Sequence, residues 1–175
     1  MNANSSPEAV TAQRAEDCLR RLAATDALTG LANYRALSEA VESEIRRSER
    51  TARALSVLIF DLNDMKRIND SHGHLAGNYA LCRVADIFRS SCRSIDTAAR
   101  YGGDEFATVL PETSAIEADA VGRRLCERLC NDPEEPRLSM SFGVAVYPED
   151  GTTNETLFQA ADRALCRMKY LKNIL

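Results

Sequence analysis

Two neighbouring acids after a pair of glycines are the side chains best suited to chemistry in this sequence. Within Arg100–Phe106, Gly102 and Gly103 are followed directly by Asp104 and Glu105. The apolar flanks predict a β-hairpin tip, where glycine permits a positive φ and a close ligand. Successive strand residues point to opposite faces, so the two acids need not share one role. A structural turn would need the glycines alone, and both interpretations remain open here.

A third acid lies near the end of the most apolar segment. Leu55–Leu62 predicts a strand buried on both faces, yet it contains Asp61. A charge there is costly for stability and therefore indicates function. Asn63 and Asp64 follow as a predicted helix start, with Lys66 in the first turn. Unpaired N–H groups at a helix N-terminus, together with this lysine, predict an anion site.

The order of elements positions these residues. The predicted strands are Leu55–Leu62, Thr97–Ala99, Phe106–Leu110 and Leu138–Tyr147, and the predicted helices run from Asn33 to about Arg50, from Asn63 to Ser91 with a loop at 69–74, over Ser114–Cys130 and over Asn154–Lys172. This order predicts an α+β, ferredoxin-like β-α-β-β-α-β sheet flanked by helices, with one more helix at the C-terminus. The first and third strands are then antiparallel neighbours, which brings Asp61 close to Asp104.

Composition limits the class of protein. The 175 residues suit one domain with a short extra helix, and no apolar run is long enough to span a membrane. A net charge of −4 argues against general nucleic-acid binding. The first residues lack the pattern of a signal peptide. We therefore expect a cytoplasmic domain, on the cytosolic side of the membrane if a longer chain is anchored.

The cysteines and histidines give weaker signals. Six cysteines lack a C-x-x-C pair and are interpreted as small core or helix residues in a reducing cytosol. A zinc site at Cys126 and Cys130 would need further ligands. His72 and His74 flank Gly73 and suit either a metal pair or a loop or helix-capping role, of which we favour the latter.

The N-terminal region is predicted to be separate from the domain. From Glu8 to about Ala24 a narrow apolar stripe predicts a helix. Such a helix fits a linker that pairs with another copy or receives an upstream input, and an ordinary surface helix fits equally well. We assign residues 1–25 to this linker and residues 26–175 to the domain.

The predicted site suits a divalent cation bound to phosphates. Mg²⁺ prefers one or two carboxylates together with phosphate oxygens and water. Phosphoryl-type transfer depends on positioning and charge neutralisation, and two metal ions can serve both the attacking and the leaving oxygen. The sequence contains neither a Walker nor a Rossmann nucleotide motif.

Several motifs follow one another along the chain: Asp26-Ala-Leu-Thr-Gly-Leu-Ala-Asn33, Asp61-Leu-Asn-Asp-Met-Lys66, Ile68-Asn-Asp70, Gly73-His74, Arg100-Tyr-Gly-Gly-Asp-Glu-Phe106, Ser141-Phe-Gly-Val-Ala145 and Ala161-Asp-Arg-Ala-Leu165. Together and in this order they resemble one family, the GGDEF domain of diguanylate cyclases, which condense two GTP into cyclic di-GMP. The resemblance runs from about Asp26 to Asn173.

The resemblance implies a role for each matching residue. Asp61, the Leu62 carbonyl and Asp104 would hold Mg²⁺ or Mn²⁺, with Glu105 as a further ligand or as the base toward the 3′-hydroxyl. The nucleotide site would comprise Asn69 and residue 78 at the guanine, with Asp64, Met65, Lys66, Gly102, Gly103, Lys169 and Lys172 around the triphosphate. Catalysis in this family needs two domains face to face, so the implied partners are a second copy and a sensory or output domain in a longer chain.

A second site is implied by Arg93 and Asp96, which stand at the family's spacing for a product-inhibition motif. Cyclic di-GMP would bind there, with Arg93 as a bidentate donor and Arg124 contributing from the next helix. The alternative is a weak, exposed ion pair at a helix end.

The sequence departs from the family at three places. Asn78 replaces an aspartate that accepts bonds from guanine, and its amide suits adenine as well. The C-terminal motif lacks its arginine, which Lys172 replaces only in charge. Asn63 is a milder change. Three hypotheses follow: an active diguanylate cyclase, a GTP or cyclic di-GMP sensor that regulates a neighbour such as a phosphodiesterase, and a cyclase with altered base choice.

Overall fold

A computed structural model describes residues 23–172, without the side chain of Lys172. The predicted linker helix lies outside the described residues except at its end. The elements are α1 (Tyr34–Thr51), β1 (Leu55–Leu62), α2 (Met65–Ser91), β2 (Thr97–Arg100), β3 (Glu105–Pro111), α3 (Ala115–Cys130), β4 (Met140–Tyr147) and α4 (Asn154–Lys172).

The four strands form one antiparallel sheet in the order β2-β3-β1-β4. The predicted α+β fold is therefore confirmed, and β1 lies between β3 and β4. Asp61 stands opposite Glu105 on one side and Ser141 on the other. The pairing of the first and third strands thus carries the acids of the hairpin to the end of β1.

The two faces of the sheet bury different clusters. Leu58, Phe60 and Leu62 pack in the cluster that includes α2 and α3, whereas Val57 and Ile59 pack with α1 and α4. Every β1 side chain except Asp61 is buried, as the apolar run predicts. Because side chains alternate along a strand, Asp61 shares the α1–α4 face with Ile59.

Local sequence signals fix the helix ends. The Asn33 side chain accepts a hydrogen bond from the Ala36 N–H at 3.0 Å and caps α1, as its position predicts. Ser114 and Glu117 form a reciprocal capping box at the start of α3. Helix α4 has the predicted bounds. Strand β4 begins two residues later than predicted, because Leu138 is buried outside the strand pairing.

The predicted loop at residues 69–74 is reduced to a break at one residue. The segment is helical on both sides of Gly73, which alone leaves helical geometry, with φ 82° and ψ 162°. One glycine can adopt a positive φ while its neighbours stay helical, so polar residues here produce a kink rather than a loop.

The cysteines agree with their interpretation as core or helix residues. None of the five in the described part of the chain forms a disulfide, and Cys130 and Cys166 are exposed on their helices. Among residues 23–172, no helix combines the length and the apolarity needed to cross a membrane.

Candidate functional site

Backbone and arginine contacts hold the hairpin between β2 and β3. The N–H groups of Tyr101 and Gly102 donate to the Glu105 carbonyl at 2.8 and 3.1 Å. The Arg100 guanidinium donates to the Gly103 carbonyl at 2.6 Å through Nη2. The same guanidinium lies 3.4 Å from the Asp26 carboxylate. The tip is therefore fixed to the segment that leads into α1.

The two glycines of the hairpin do not adopt the positive φ that the sequence allowed for. Within the described residues, positive φ values occur at Gly30 and Gly73 but not at Gly102 or Gly103. A β-carbon added at Gly102 would lie 2.5 Å from Glu105 Oε2, whereas one at Gly103 would meet nothing within 4 Å. Gly102 thus makes room for the Glu105 carboxylate, and Gly103 leaves open space beside the backbone.

The sheet brings the predicted acids together. The Leu62 N–H donates to the Asp104 carbonyl at 3.1 Å, which joins the end of β1 to the hairpin. Asp61 and Glu105 are direct partners across the strands. Partial burial raises the pKa of Glu105, and the charges of Asp61, Asp104 and Asp162 raise it further. The site therefore carries an excess of negative charge.

Lys169 supplies a positive charge within this group. Its Nζ lies 2.6 Å from Asp61 Oδ1, and its charge opposes the rise of the Glu105 pKa. Lys172 ends the same helix, and its side chain lies outside the described part. The structure therefore brings Lys169 to the acids by direct contact with Asp61.

Asp162 is a neighbour of the site that sequence reasoning missed. It lies on α4, lines a cavity of about 340 Å³ with Tyr101, and affects the pKa of both Tyr101 and Glu105. Its position seven residues before Lys169 places both side chains on one face of the helix. That spacing was the signal that could have found it.

The predicted anion region lies at the start of α2. Asp64 has φ 60°, and its side chain makes no capping hydrogen bond to the N–H groups of the first turn. Its carboxylate lies 3.2 Å from Arg67. Met65 is buried and anchors the turn, while Lys66 is exposed.

The predicted base-binding residues, Asn69 and Asn78, lie further along α2. A β-carbon at Gly77 would overlap Asn69 Oδ1, so the Asn69 side chain lies against the Gly77 backbone. Asn78 follows and is exposed. The structure thus places Asn69 beside the turn that carries Asn78. Asn63 is not among them, because its side chain bonds Ser139 and Ser141 next to β4.

The residues of the predicted inhibitory site surround the C-terminal end of α2. Asp96 accepts the Arg93 backbone N–H at 2.7 Å, so their contact is a turn closure and not the ion pair considered as the alternative. Arg124 Nη2 lies 3.4 Å from the Ser91 carbonyl. Burial, with the charge of Asp96 adding, raises the pKa of Cys92 to about 11, while Arg124 opposes the rise. Asp96 and Arg124 therefore both lie close to Cys92.

No three His, Cys, Asp or Glu side chains within the described ranges form a ready metal-binding cluster. The described residues thus contain no such cluster at Cys126 and Cys130, at His72 and His74, or at the acids of the hairpin. A cation at the hairpin would therefore need oxygen ligands beyond these side chains, such as phosphates and water.

Known proteins resemble this chain over most of its length. The family described as "Diguanylate cyclase, GGDEF domain" matches residues 23–173. Diguanylate cyclase DgcP of Pseudomonas aeruginosa is 42% identical over 86% of this chain and 23% of its own length. The bifunctional diguanylate cyclase/cyclic di-GMP phosphodiesterase MucR of the same species is 35% identical over 97% of this chain and 25% of its own length.

A solved structure has the same fold. The GGDEF domain of DgcB from Caulobacter crescentus, in complex with c-di-GMP, matches with a TM-score of 0.80 and 25% identity, over 85% of this chain and 91% of that one. The chain spans about a quarter of the length of the two curated relatives. The family match covers nearly every described element together with the acidic hairpin. The chain belongs to the GGDEF domain family of diguanylate cyclases.

Proposed function

We propose that this domain is a diguanylate cyclase, which condenses two GTP into cyclic di-GMP and pyrophosphate. The observation that carries the proposal is the meeting of Asp61, Asp104 and Glu105 beside Lys169 at one edge of the sheet. With Asp162 the site contains four carboxylates, but Lys169 supplies only one ammonium group. This excess of negative charge suits a substrate that arrives with a divalent cation.

The donor set fits Mg²⁺ or Mn²⁺. The candidate ligands are the carboxylates of Asp61, Asp104 and Glu105 and the Leu62 carbonyl, all oxygens of the kind these hard cations prefer. A bound cation would supply neutralisation of phosphate charge and polarisation of the α-phosphate. The remaining ligands are expected to be phosphate oxygens and water.

The side chains of this domain then have distinct tasks. Glu105 accepts the proton of the 3′-hydroxyl when it is not a ligand of the cation. In the free site, partial burial and the nearby carboxylates raise its pKa. Lys66 and Lys169 neutralise the departing pyrophosphate, helped by the uncapped N–H groups at Asp64 and Met65. Asn69 and Asn78 orient the base.

Each domain offers one such site, so the reaction needs two copies face to face. The 3′-oxygen of each GTP attacks the α-phosphate of the other, and each attack expels one pyrophosphate. Product inhibition is proposed at Arg93, Asp96 and Arg124. In support, these residues gather at one end of α2, and cyclic di-GMP is bound in the DgcB complex.

A second candidate is a sensor that binds GTP or cyclic di-GMP without turnover. It is favoured by Asn78, which offers one acceptor where guanine presents two donors. It predicts an effect on a neighbouring domain, and MucR combines cyclase and phosphodiesterase in its name. A cyclase that also accepts ATP is the remaining alternative.

One assay separates the candidates. Purified protein, fused to a dimerising helix, is incubated with Mg²⁺ and with GTP, ATP or both, and the products are separated by chromatography. Cyclic di-GMP from GTP supports the cyclase, and adenine-containing products indicate altered base choice. Nucleotide binding by calorimetry without product, in both the natural chain and Asn78→Asp, supports the sensor.

A further inference from the structure

Lys169 and Asp61 contact each other, although the proposed function gives them different ligands. Lys169 is assigned to phosphate and Asp61 to a cation. Their charged atoms are 2.6 Å apart, which is a direct ion pair. While this ion pair exists, Lys169 occupies the place of the cation at Asp61, and Asp61 occupies the place of the phosphate at Lys169.

The two partners differ in how freely they can move. Asp61 lies in β1, paired on both sides with Glu105 and Ser141, so its backbone is fixed. Lys169 extends from near the end of α4 on a flexible four-carbon stem. The contact is partly open to solvent, with 38% of the Lys169 side chain exposed. The lysine is therefore the partner able to leave.

The surrounding charges favour two alternative states. Without other cations, the ammonium neutralises Asp61 and opposes the rise of the Glu105 pKa. A divalent cation at the same carboxylates would repel it. Phosphate groups bound at the start of α2 would attract it.

We infer that Lys169 changes partners, from Asp61 in the free site to nucleotide phosphate in the loaded site. This inference rests on the proposed function, which supplies both the cation at Asp61 and the nucleotide. Cation and nucleotide then bind cooperatively, because the nucleotide withdraws the competitor of the cation. Coupling of this kind is reciprocal, so the cation also strengthens nucleotide binding.

The size of the effect follows from the exposure of the pair. Partly exposed ion pairs contribute little net free energy, so removal of the lysine should strengthen binding of a lone cation by about two- to fivefold. Because breaking the ion pair costs so little free energy, the exchange can occur in every catalytic cycle.

Matched variants separate exchange from general charge. Lys169→Met removes the competitor, and Lys66→Met removes an equal charge that forms no ion pair with Asp61. Lys169→Arg retains both the charge and the ability to hold Asp61. Thermal unfolding of each variant checks that it is folded, and Lys169→Gln, which also removes the charge, replaces the methionine variant if that one is unstable.

The experiment measures Mn²⁺ binding by electron paramagnetic resonance, without nucleotide and with α,β-methylene GTP, which cannot release pyrophosphate. We expect Lys169→Met, and not Lys66→Met, to bind Mn²⁺ about two- to fivefold more tightly without nucleotide. Lys169→Met should also lose part of the gain in Mn²⁺ affinity that nucleotide produces. Lys169→Arg should keep that gain. Equal shifts in Lys169→Met and Lys66→Met, or no Mn²⁺ binding in either, would overturn the inference.

Failure of the inference is distinguishable from failure of the proposed function. A natural chain that forms cyclic di-GMP while Lys169→Met leaves Mn²⁺ affinity unchanged refutes only the exchange. A chain that forms no product yet shows the predicted Mn²⁺ pattern refutes only the cyclase.

Discussion

Glu105 is the side chain whose chemistry depends most on its neighbours. Partial burial and three nearby carboxylates favour its protonated form, and Lys169 opposes them. In the nucleotide-free protein it therefore releases its proton at a higher pH than an ordinary glutamate. The charges and burial around Glu105 thus determine the direction in which its pKa is shifted.

The effect of Asp162 on Glu105 is testable. Asp162→Asn removes one negative charge, so the pKa of Glu105 should fall toward its ordinary value. The Glu105 carboxyl then becomes ionised at lower pH than in the natural chain. Carbon-detected NMR titration of the nucleotide-free domain measures this. An unchanged pKa would show that Asp162 does not contribute to the site.

Gly102 gives a second residue-scale prediction. In Gly102→Ala the new methyl group would displace the Glu105 carboxylate from its place 2.5 Å away. We expect turnover to fall by about 100-fold, the usual contribution of a positioned base, with little loss of stability because the end of a glutamate can move. Product assays and urea unfolding measure the two effects.

Gly103→Ala is the matched control for the carboxylate. No atom lies within 4 Å of the added β-carbon, so the NMR titration of Glu105 should be unchanged there and altered in Gly102→Ala. The same titration curve in both variants would contradict the role given to Gly102.

At the scale of elements, Arg100 joins the entry segment to the hairpin. It bonds the Gly103 carbonyl and faces the Asp26 carboxylate, while Asp26 accepts bonds from the backbone and hydroxyl of Thr29. The Arg100 N–H also donates to the Ala32 carbonyl at 2.9 Å. These contacts thus attach the hairpin to the residues that lead into α1.

Asp26→Asn should loosen this connection. We expect a loss of about 2 kcal/mol in unfolding free energy, the usual contribution of a hydrogen bond to a charged group, and a fall in kcat larger than the change in KM. Urea unfolding and steady-state kinetics measure these. A KM effect alone would mean that the contact acts on nucleotide binding rather than on the hairpin.

Helix α2 gives a second prediction at this scale. Gly77→Ala should displace Asn69 and weaken nucleotide binding by about tenfold, as expected for one lost hydrogen bond. Asn69→Ala should have a similar effect, and the double variant no more than either, because both act on one contact. Calorimetry measures the affinities. Additive losses would separate Gly77 from Asn69.

The sequence predicted the elements better than the contacts between them. The apolar spacing of α4 and the strand β1 were predictable, because burial imposes a local period. The meeting of Asp61 with the hairpin followed from topology. The contact of Lys169 with Asp61 and the orientation of Asp162 were not predicted, because they depend on how α4 packs against the sheet. The break in α2 is confined to Gly73, and the helical geometry of the other residues in this segment was missed because polar residues suit a helix and a loop equally.

At the scale of the whole molecule, one domain supplies one of the two GTP sites that the proposed reaction needs. If two copies must meet, specific activity should rise with protein concentration and then level off. Fusion to a dimerising helix should remove this dependence. Initial rates over a wide range of concentrations measure it. A rate per chain that is independent of concentration in an unfused monomer would contradict the two-copy mechanism.

The most direct test of the central claim is the formation of cyclic di-GMP from GTP and Mg²⁺ by the dimerised domain. The account predicts product and pyrophosphate from the natural sequence and none from Asp104→Asn, although that variant should remain folded. Absence of product from the natural sequence, or equal product from both proteins, would contradict it.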